Sequence, residues 1–185
     1  LRGDQSKEWS QTGGALRDRT RLLGDIINST PFYDDKTKMV YIGANDGGLH
    51  GFDSETGIEK FVYIPNVVFS NLSKLTKRTY VNDGHQYFVD GSPVVVTKGT
   101  DQILVANTGV GGRAVFALKV TDPSAFTGGN GGDVLWEYTN ADLGYTMGQP
   151  RIGQLKNGEW VVVFGSGYNN TGTGYNSSSG VAYLF

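Results

Sequence analysis

Short apolar runs separated by clusters of glycine, asparagine and aspartate recur along this chain, and they recur in one order. The first copy reads Pro31, then Met39-Val40-Tyr41-Ile42-Gly43, then Gly48-Leu49-His50-Gly51-Phe52-Asp53, then Glu59-Lys60-Phe61-Val62-Tyr63. The second reads Pro93, then Gln102-Ile103-Leu104-Val105-Ala106, then Arg113-Ala114-Val115-Phe116-Ala117-Leu118, then Val134-Leu135-Trp136-Glu137-Tyr138. The third reads Pro150, Trp160-Val161-Val162-Val163-Phe164-Gly165 and Gly180-Val181-Ala182-Tyr183-Leu184-Phe185, where the chain stops.

Runs this short, bounded by turn residues, predict strands. Met39 to Ile42 is continuously apolar, as in a strand buried on both faces. Glu59 to Ile64 alternates, with Phe61 and Tyr63 on one side. Asn45-Asp46-Gly47-Gly48 supplies residues that tolerate positive φ, which a tight hairpin requires. Four consecutive strands joined by short turns make one blade of a β-propeller. Their recurrence marks a repeat architecture.

The expected fold is therefore all-β, a partial propeller of about three four-stranded blades, the last incomplete, with one short helical insertion. Residues 1–30 form a lead-in, 31–65 a blade, 66–90 the helical insertion and a connector, 91–140 a second blade, and 147–185 an incomplete third. Within the lead-in, Ala15 to Ile27 has helical spacing broken by Gly24 and the β-branched Ile26-Ile27, so it reads as a helix that ends early or an extended connector. Asn28-Ser29-Thr30-Pro31 ends it, because a residue before proline is pushed out of the α region. Val67, Val68, Leu72 and Leu75 fall at the spacing of a short surface helix. Gln86 to Asp90 reads as a strand leading into a Gly91-Ser92-Pro93 corner.

Three blades leave two flanks without neighbours. A flank baring about 500 Å² of apolar surface would forfeit about 12 kcal/mol at roughly 25 cal/mol per Å², comparable to the ~5–15 kcal/mol stability of a domain. The sequence is thus expected to be a fragment of a longer propeller, its partners including the remaining blades. Its start, Leu1-Arg2-Gly3-Asp4, has neither an initiator methionine nor a signal sequence.

Composition narrows the function. The formal net charge is -2 over 185 residues, with no basic stripe to contact a phosphate backbone, so nucleic acid is not an expected partner. Lys74, Lys77 and Arg78 read as a solvated helix face. The absence of cysteine removes disulfides, thiolate metal sites and cysteine nucleophiles. No apolar run approaches the ~20 residues that span a bilayer.

Candidate chemistry mostly dissolves into turn chemistry. Gly109-Val110-Gly111-Gly112 is followed by a strand pattern rather than the helix that a phosphate-cradling loop must open, so it reads as a hairpin. Asn45, Asp46 and Asp53 lack the ligand spacing of a calcium loop, and Asp53 and Asp122 sit where a carboxylate caps a turn. His50 lies mid-strand, more often the place of a packed or half-exposed residue than of a base. His85 precedes the Gln86-to-Asp90 strand. Nothing in the sequence supports a Ser–His–Asp arrangement, which is set in space rather than by spacing. Ser166, in Gly165-Ser166-Gly167, lacks the spacing of a nucleophile elbow. Arg2-Gly3-Asp4 matches an adhesion tripeptide, but three residues carry little information and an ordinary turn is the better reading. The sequons at Asn28, Asn71, Asn169 and Asn176 are expected by chance in a chain rich in Asn and Ser. The residues singled out are structural, as blade corners and turns: Gly43, Gly47, Asp53, Asp90, Gly91, Pro93, Gly112 and Pro150.

Several longer segments resemble one family. Leu16-Arg17-Asp18-Arg19 with Leu23-Gly24-Asp25-Ile26-Ile27-Asn28-Ser29-Thr30-Pro31 is similar to the start of the C-terminal propeller of the PilC/PilY type IV pilus proteins. So are Val40 to Gly47, Tyr87 to Pro93, Gly111 to Leu118 and Asp142 to Pro150. The resemblance implies a modified, quinoprotein-like propeller in a bacterial surface protein at the pilus tip or outer membrane, exported through the periplasm. It implies pilus biogenesis, opposition to retraction, adhesion to surfaces or host receptors, and contact with minor pilins and the pilus machinery. Calcium control is associated with an acidic loop that these residues lack, so no cofactor is expected in this segment and calcium would bind elsewhere in the parent. The rival is a quinone-dependent dehydrogenase, whose blades share the Asp53-to-Gly57 turn pattern. That enzyme needs a funnel tryptophan and calcium-binding acids, whereas Trp136 and Trp160 sit in strand pieces that read as blade packing. A generic scaffold propeller of the outer-membrane assembly kind explains neither Asp90-Gly91-Ser92-Pro93 nor the helix before it. No enzymatic activity is expected.

Overall fold

The computed structural model describes residues 3–126 and 133–169. The third piece of the third copy, Gly180 to Phe185, lies outside them. Two four-stranded antiparallel sheets follow one another, each with its strands in sequence order. The first comprises β1 (Phe32–Asp34), β2 (Met39–Gly43), β3 (Leu49–Asp53) and β4 (Glu59–Tyr63). The second comprises β5 (Val94–Lys98), β6 (Asp101–Asn107), β7 (Val115–Lys119) and β8 (Val134–Tyr138). β9 (Arg151–Gln154) and β10 (Trp160–Val163) form an antiparallel pair. This is a propeller in which β1 lies against β5 and β5 against β9, so the first strand of each unit is the inner one.

Pro31, Pro93 and Pro150 each stand immediately before an inner strand. Proline cannot donate to a ladder, so each inner strand begins one residue later. The alternation of burial explains the seams between sheets. Met39, Tyr41, Leu49, Phe61 and Tyr63 face Val95, Leu104, Ala106, Phe116 and Leu118 in one core. On β6, the intervening Val105 turns the other way, joining Val115 and Ala117 against Leu143 and Phe164 in a second core. β6 is thus buried on both faces. Val40 and Ile42 of β2, by contrast, are only half-buried. Trp136 and Trp160 line an apolar groove of about 130 Å³ between the second sheet and the β9–β10 pair, and Trp136 also packs against the second core.

A second latch ties the first two sheets at their outer strands. Tyr63 on β4 donates its hydroxyl to Glu137 on β8, whose two oxygens also accept from the Asn66 amide at 3.0 and 3.1 Å. Burial, then the hydrogen bond and charge of Glu137, raise the Tyr63 pKa, so the phenol stays a donor. Glu137→Gln keeps the shape and removes the charge. It should lower stability by about 1–2 kcal/mol in chemical denaturation, and an unchanged midpoint would show that the latch contributes nothing.

Of the two alternatives for Ala15 to Ile27, the structure shows the extended connector, with bends and no helix. Other expectations change. The insertion is a 3-10 helix, Asn66–Thr76, followed by the short α1 (Tyr80–Asp83), and it is not a surface decoration. Val68, Leu72 and Leu75 are its buried residues and pack with Phe88 in a third core. Arg78, read as part of a solvated helix face, lies beyond the helix and stacks 3.6 Å over Trp9. Finally, Gln86 to Asp90 is not a strand. It is an irregular wedge whose backbone bonds to two blades at once, which leaves it no single ladder to join.

Candidate functional site

The polar groups of the chain converge where the connectors meet the inner strands. The segment Phe88 to Gly91 enters between the ends of β2 and β6. Phe88 N donates to Asn45 Oδ1 at 3.0 Å and Val89 N to the Ala44 carbonyl at 3.4 Å, both on the first blade. Asp90 N donates to the Thr108 carbonyl of the second blade at 3.3 Å. The next connector repeats the arrangement one blade on. Gly144 N donates to Ser166 O at 2.6 Å beyond β10, while Thr146 Oγ1 reaches back to the Ala114 carbonyl at 3.2 Å.

Successive corners are also bonded to each other. The Asp90 carboxylate, 2% exposed, accepts from Asn28 N at 3.1 Å and Asn28 Nδ2 at 2.6 Å. Ser29 Oγ donates to the Gly91 carbonyl and accepts from Gly43 N, both at 2.9 Å. Thr30 N donates to Ser92 Oγ at 2.9 Å. Toward the third unit, Gln149 Nε2 donates to the Pro93 carbonyl at 3.0 Å and Asn107 Nδ2 to the Gly148 carbonyl at 2.6 Å.

The structure therefore gathers Gly43, Asp90, Gly91 and Pro93 at one corner, and Pro150 stands at the next. Gly43 admits the Val89 carbonyl where a Cβ would stand, and Gly91 lies equally close to Asn107. The remaining candidates lie in loops. Gly47 takes φ 113° in the β2–β3 turn, where Leu72 packs on it. Asp53 Oδ1 caps the next turn through Glu55 N at 3.0 Å and Thr56 N at 2.9 Å. Asp122 does the same for Ser124 and Ala125. Gly112 lies beside Thr108 and Val67. Arg2 is outside the described residues. Gly3 has φ 81°, and Asp4 accepts from Ser6 N at 2.8 Å while its carbonyl accepts from Arg19.

Sequence reasoning did not single out Asn28, Ser29, Ser92, Asn107 and Gln149. The signal for Asn28, Ser29, Ser92 and Gln149 was the polar residues standing just before each of the three prolines, and Asn107, at the end of β6, carried none. It also passed over a charged cluster on the first blade. His50, 5% exposed, lies 3.0 Å from Asp46 Oδ1 through Nε2 and 2.5 Å from Glu59 Oε1 through Nδ1. Asp46 Oδ2 also accepts from Gly24 N at 2.9 Å, tying the lead-in to the blade. Burial alone would push the imidazole pKa down, but the hydrogen bonds and charges of Asp46 and then Glu59 outweigh it and raise it. Burial likewise opposes the Asp46 charge, and His50 with the two backbone amides holds its pKa low all the same. Among the described residues no group of three or more His, Asp or Glu side chains is placed to hold a metal ion. No helix among them is long and apolar enough to cross a membrane. The corner groups thus hold backbone to backbone, and each is engaged with the neighbouring unit.

Comparison with known proteins agrees with this architecture. A family model described as the PilY1 beta-propeller domain matches residues 27–184. The chain is 37% identical over 204 aligned residues to the type IV pilus biogenesis factor PilY1 of Pseudomonas aeruginosa (strain UCBPP-PA14), covering 92% of this chain and 17% of that protein. It is also 37% identical to a PilY1 homolog of Xylella fastidiosa (strain Temecula1), with 92% and 16% covered. The crystal structure of the P. aeruginosa PilY1 C-terminal domain superposes with a TM-score of 0.53 at 38% identity, covering 71% of this chain and 25% of that one. The chain thus spans about a sixth of the length of these curated relatives.

Proposed function

This chain belongs to the PilY1 beta-propeller family, and from that premise we propose that it serves type IV pilus biogenesis as a non-enzymatic, structural part of the propeller. The observation that carries this reading is the match to pilus biogenesis factors over 92% of the chain, joined to a corner whose polar groups bond blade to blade. In the parent protein the propeller would act at the bacterial surface. There it would engage minor pilins and the pilus machinery, support extension against retraction, and contribute to attachment to surfaces or host receptors. Any calcium control would reside in other parts of the polypeptide. The dehydrogenase alternative is disfavoured because Trp136 packs against the second core and Trp160 lies on β10 beside the same groove.

Asp90→Ala in the full-length protein tests the reading. It removes both carboxylate bonds to Asn28 and should cost about 3 kcal/mol. Surface pili, counted by electron microscopy and by shearing, should fall well below wild type. Wild-type piliation by a protein shown to be destabilised would separate this corner from pilus assembly and overturn the proposal.

A further inference from the structure

His50 and Phe116 occupy the same place in their blades, the second position of the third strand. Phe116 is fully buried, its ring 5.1 Å from that of Tyr63 on the first blade. His50 puts a titratable group there instead. Its neighbours Leu49 and Gly51 pair with Tyr63 and Phe61, which face the second blade. Strand alternation therefore turns His50 to the opposite face, where its ring stacks on Phe52 at 5.8 Å.

Both ring nitrogens meet carboxylate oxygens, and an ionised carboxylate only accepts hydrogen bonds. Only the imidazolium, with two N–H groups, satisfies both partners. The two acids differ in freedom. Asp46 is 18% exposed and is fixed by the Gly24 and Gly48 amides. Glu59 is 45% exposed and stands opposite Phe52, beside the register shift between Gly51 and Phe52. A bulge weakens the ladder locally, so the start of β4 relies more on side-chain contacts.

We propose that His50 is a proton-controlled staple: as an imidazolium it pins the start of β4 to the β2–β3 turn, and on losing its proton it releases Glu59 and the Ser54–Ile58 turn. The proton leaves Nδ1, whose lone pair would then face the Glu59 oxygen at 2.5 Å. Nε2–H keeps its bond to the fixed Asp46, and Glu59 turns to water. The charged groups facing His50 are Asp46 from the β2–β3 turn and Glu59 from β4. Of the nearby pairs, Lys60 lies 3.5 Å from Asp53 and the His85 ring 2.7 Å from Asp25. The raised imidazole pKa keeps the staple closed below the ordinary histidine value and opens it on the alkaline side. The lowered Asp46 pKa sets the acid limit, below which its own contribution is lost.

Hydrogen exchange followed by mass spectrometry on the full-length polypeptide, from about pH 6 to about pH 9 and corrected for intrinsic rates, tests this. Protection of residues 54–62 should fall about tenfold across the imidazole titration, while the buried β6 stays protected. His50→Phe, which installs the residue of the equivalent position, should abolish the pH dependence, and so should Glu59→Gln. Glu59 is half-exposed, so its variant keeps the test decisive if His50→Phe does not fold. Protection of 54–62 that is independent of pH in the unmodified protein overturns the staple. So does a pH-dependent loss that persists unchanged in Glu59→Gln.

Discussion

Gly91→Ala should be among the most damaging single substitutions in this chain, lowering stability by about 3 kcal/mol or more. The reason is space: a Cβ at this position would overlap both the side chain and the backbone carbonyl of Asn107. Asn107 cannot retreat. It is fully buried, and its amide nitrogen is held by the Gly148 carbonyl at 2.6 Å. The Gly91 carbonyl is itself tied to Ser29, so moving either backbone breaks a contact with a neighbouring blade. In the full-length protein the loss should show as a clear fall in melting temperature, smaller per kcal/mol the larger the domain. Gly148→Ala is the matched control, because a Cβ there meets nothing within 4 Å and its backbone is not left-handed. That variant should melt within about 2 °C of the unmodified protein. Equal melting temperatures for the two variants would show that the corner yields easily.

Phe116→Ala should cost about 3–5 kcal/mol, the range for removing a buried aromatic side chain. Phe116 belongs to the core that joins the first two blades and tilts against Tyr63 across the seam. The cavity would open between two sheets that also share the Tyr63–Glu137 bond, so the damage should spread to the latch. Denaturant unfolding of the full-length protein measures the loss. Combining Phe116→Ala with Glu137→Gln should give a total that departs from the sum of the singles, because both act on Tyr63. Additive effects would mean that core and latch hold independently.

The repeat itself was legible because strands with alternating burial and glycine-rich turns are local features. Adjacent apolar residues on β6, Leu104 and Val105, serve two different cores, whereas the equally continuous run on β2 leaves Val40 and Ile42 only half-buried. An apolar run thus marks a strand but not how many faces are covered. The three prolines likewise marked where each copy begins, since a missing N–H is a property of one residue, but that the strands after them are the inner ones came from the structure. The wedge Phe88 to Gly91 was not legible. Its apolar residues look like a strand, yet they bond to the first blade on one side and the second on the other. The 3-10 helix looked like a surface helix because its apolar residues Val68, Leu72 and Leu75 do not announce that Phe88 packs with them.

The corner set divides the same way. Gly43, Asp90, Gly91 and Pro93 stood out as turn residues, but their convergence with Asn28, Ser29 and Asn107 joins segments far apart in the chain. His50 looked like an ordinary packing residue, and only the approach of Asp46 and Glu59 from neighbouring elements gives it a charge to hold. From sequence alone come the strands, their order and the family, because periodicity, turn propensity and motif spacing are written in neighbouring residues. Which connector wedges between which blades, and which side chains meet there, was decided by the tertiary structure, because those pairings follow from the closing of sheets against one another in space.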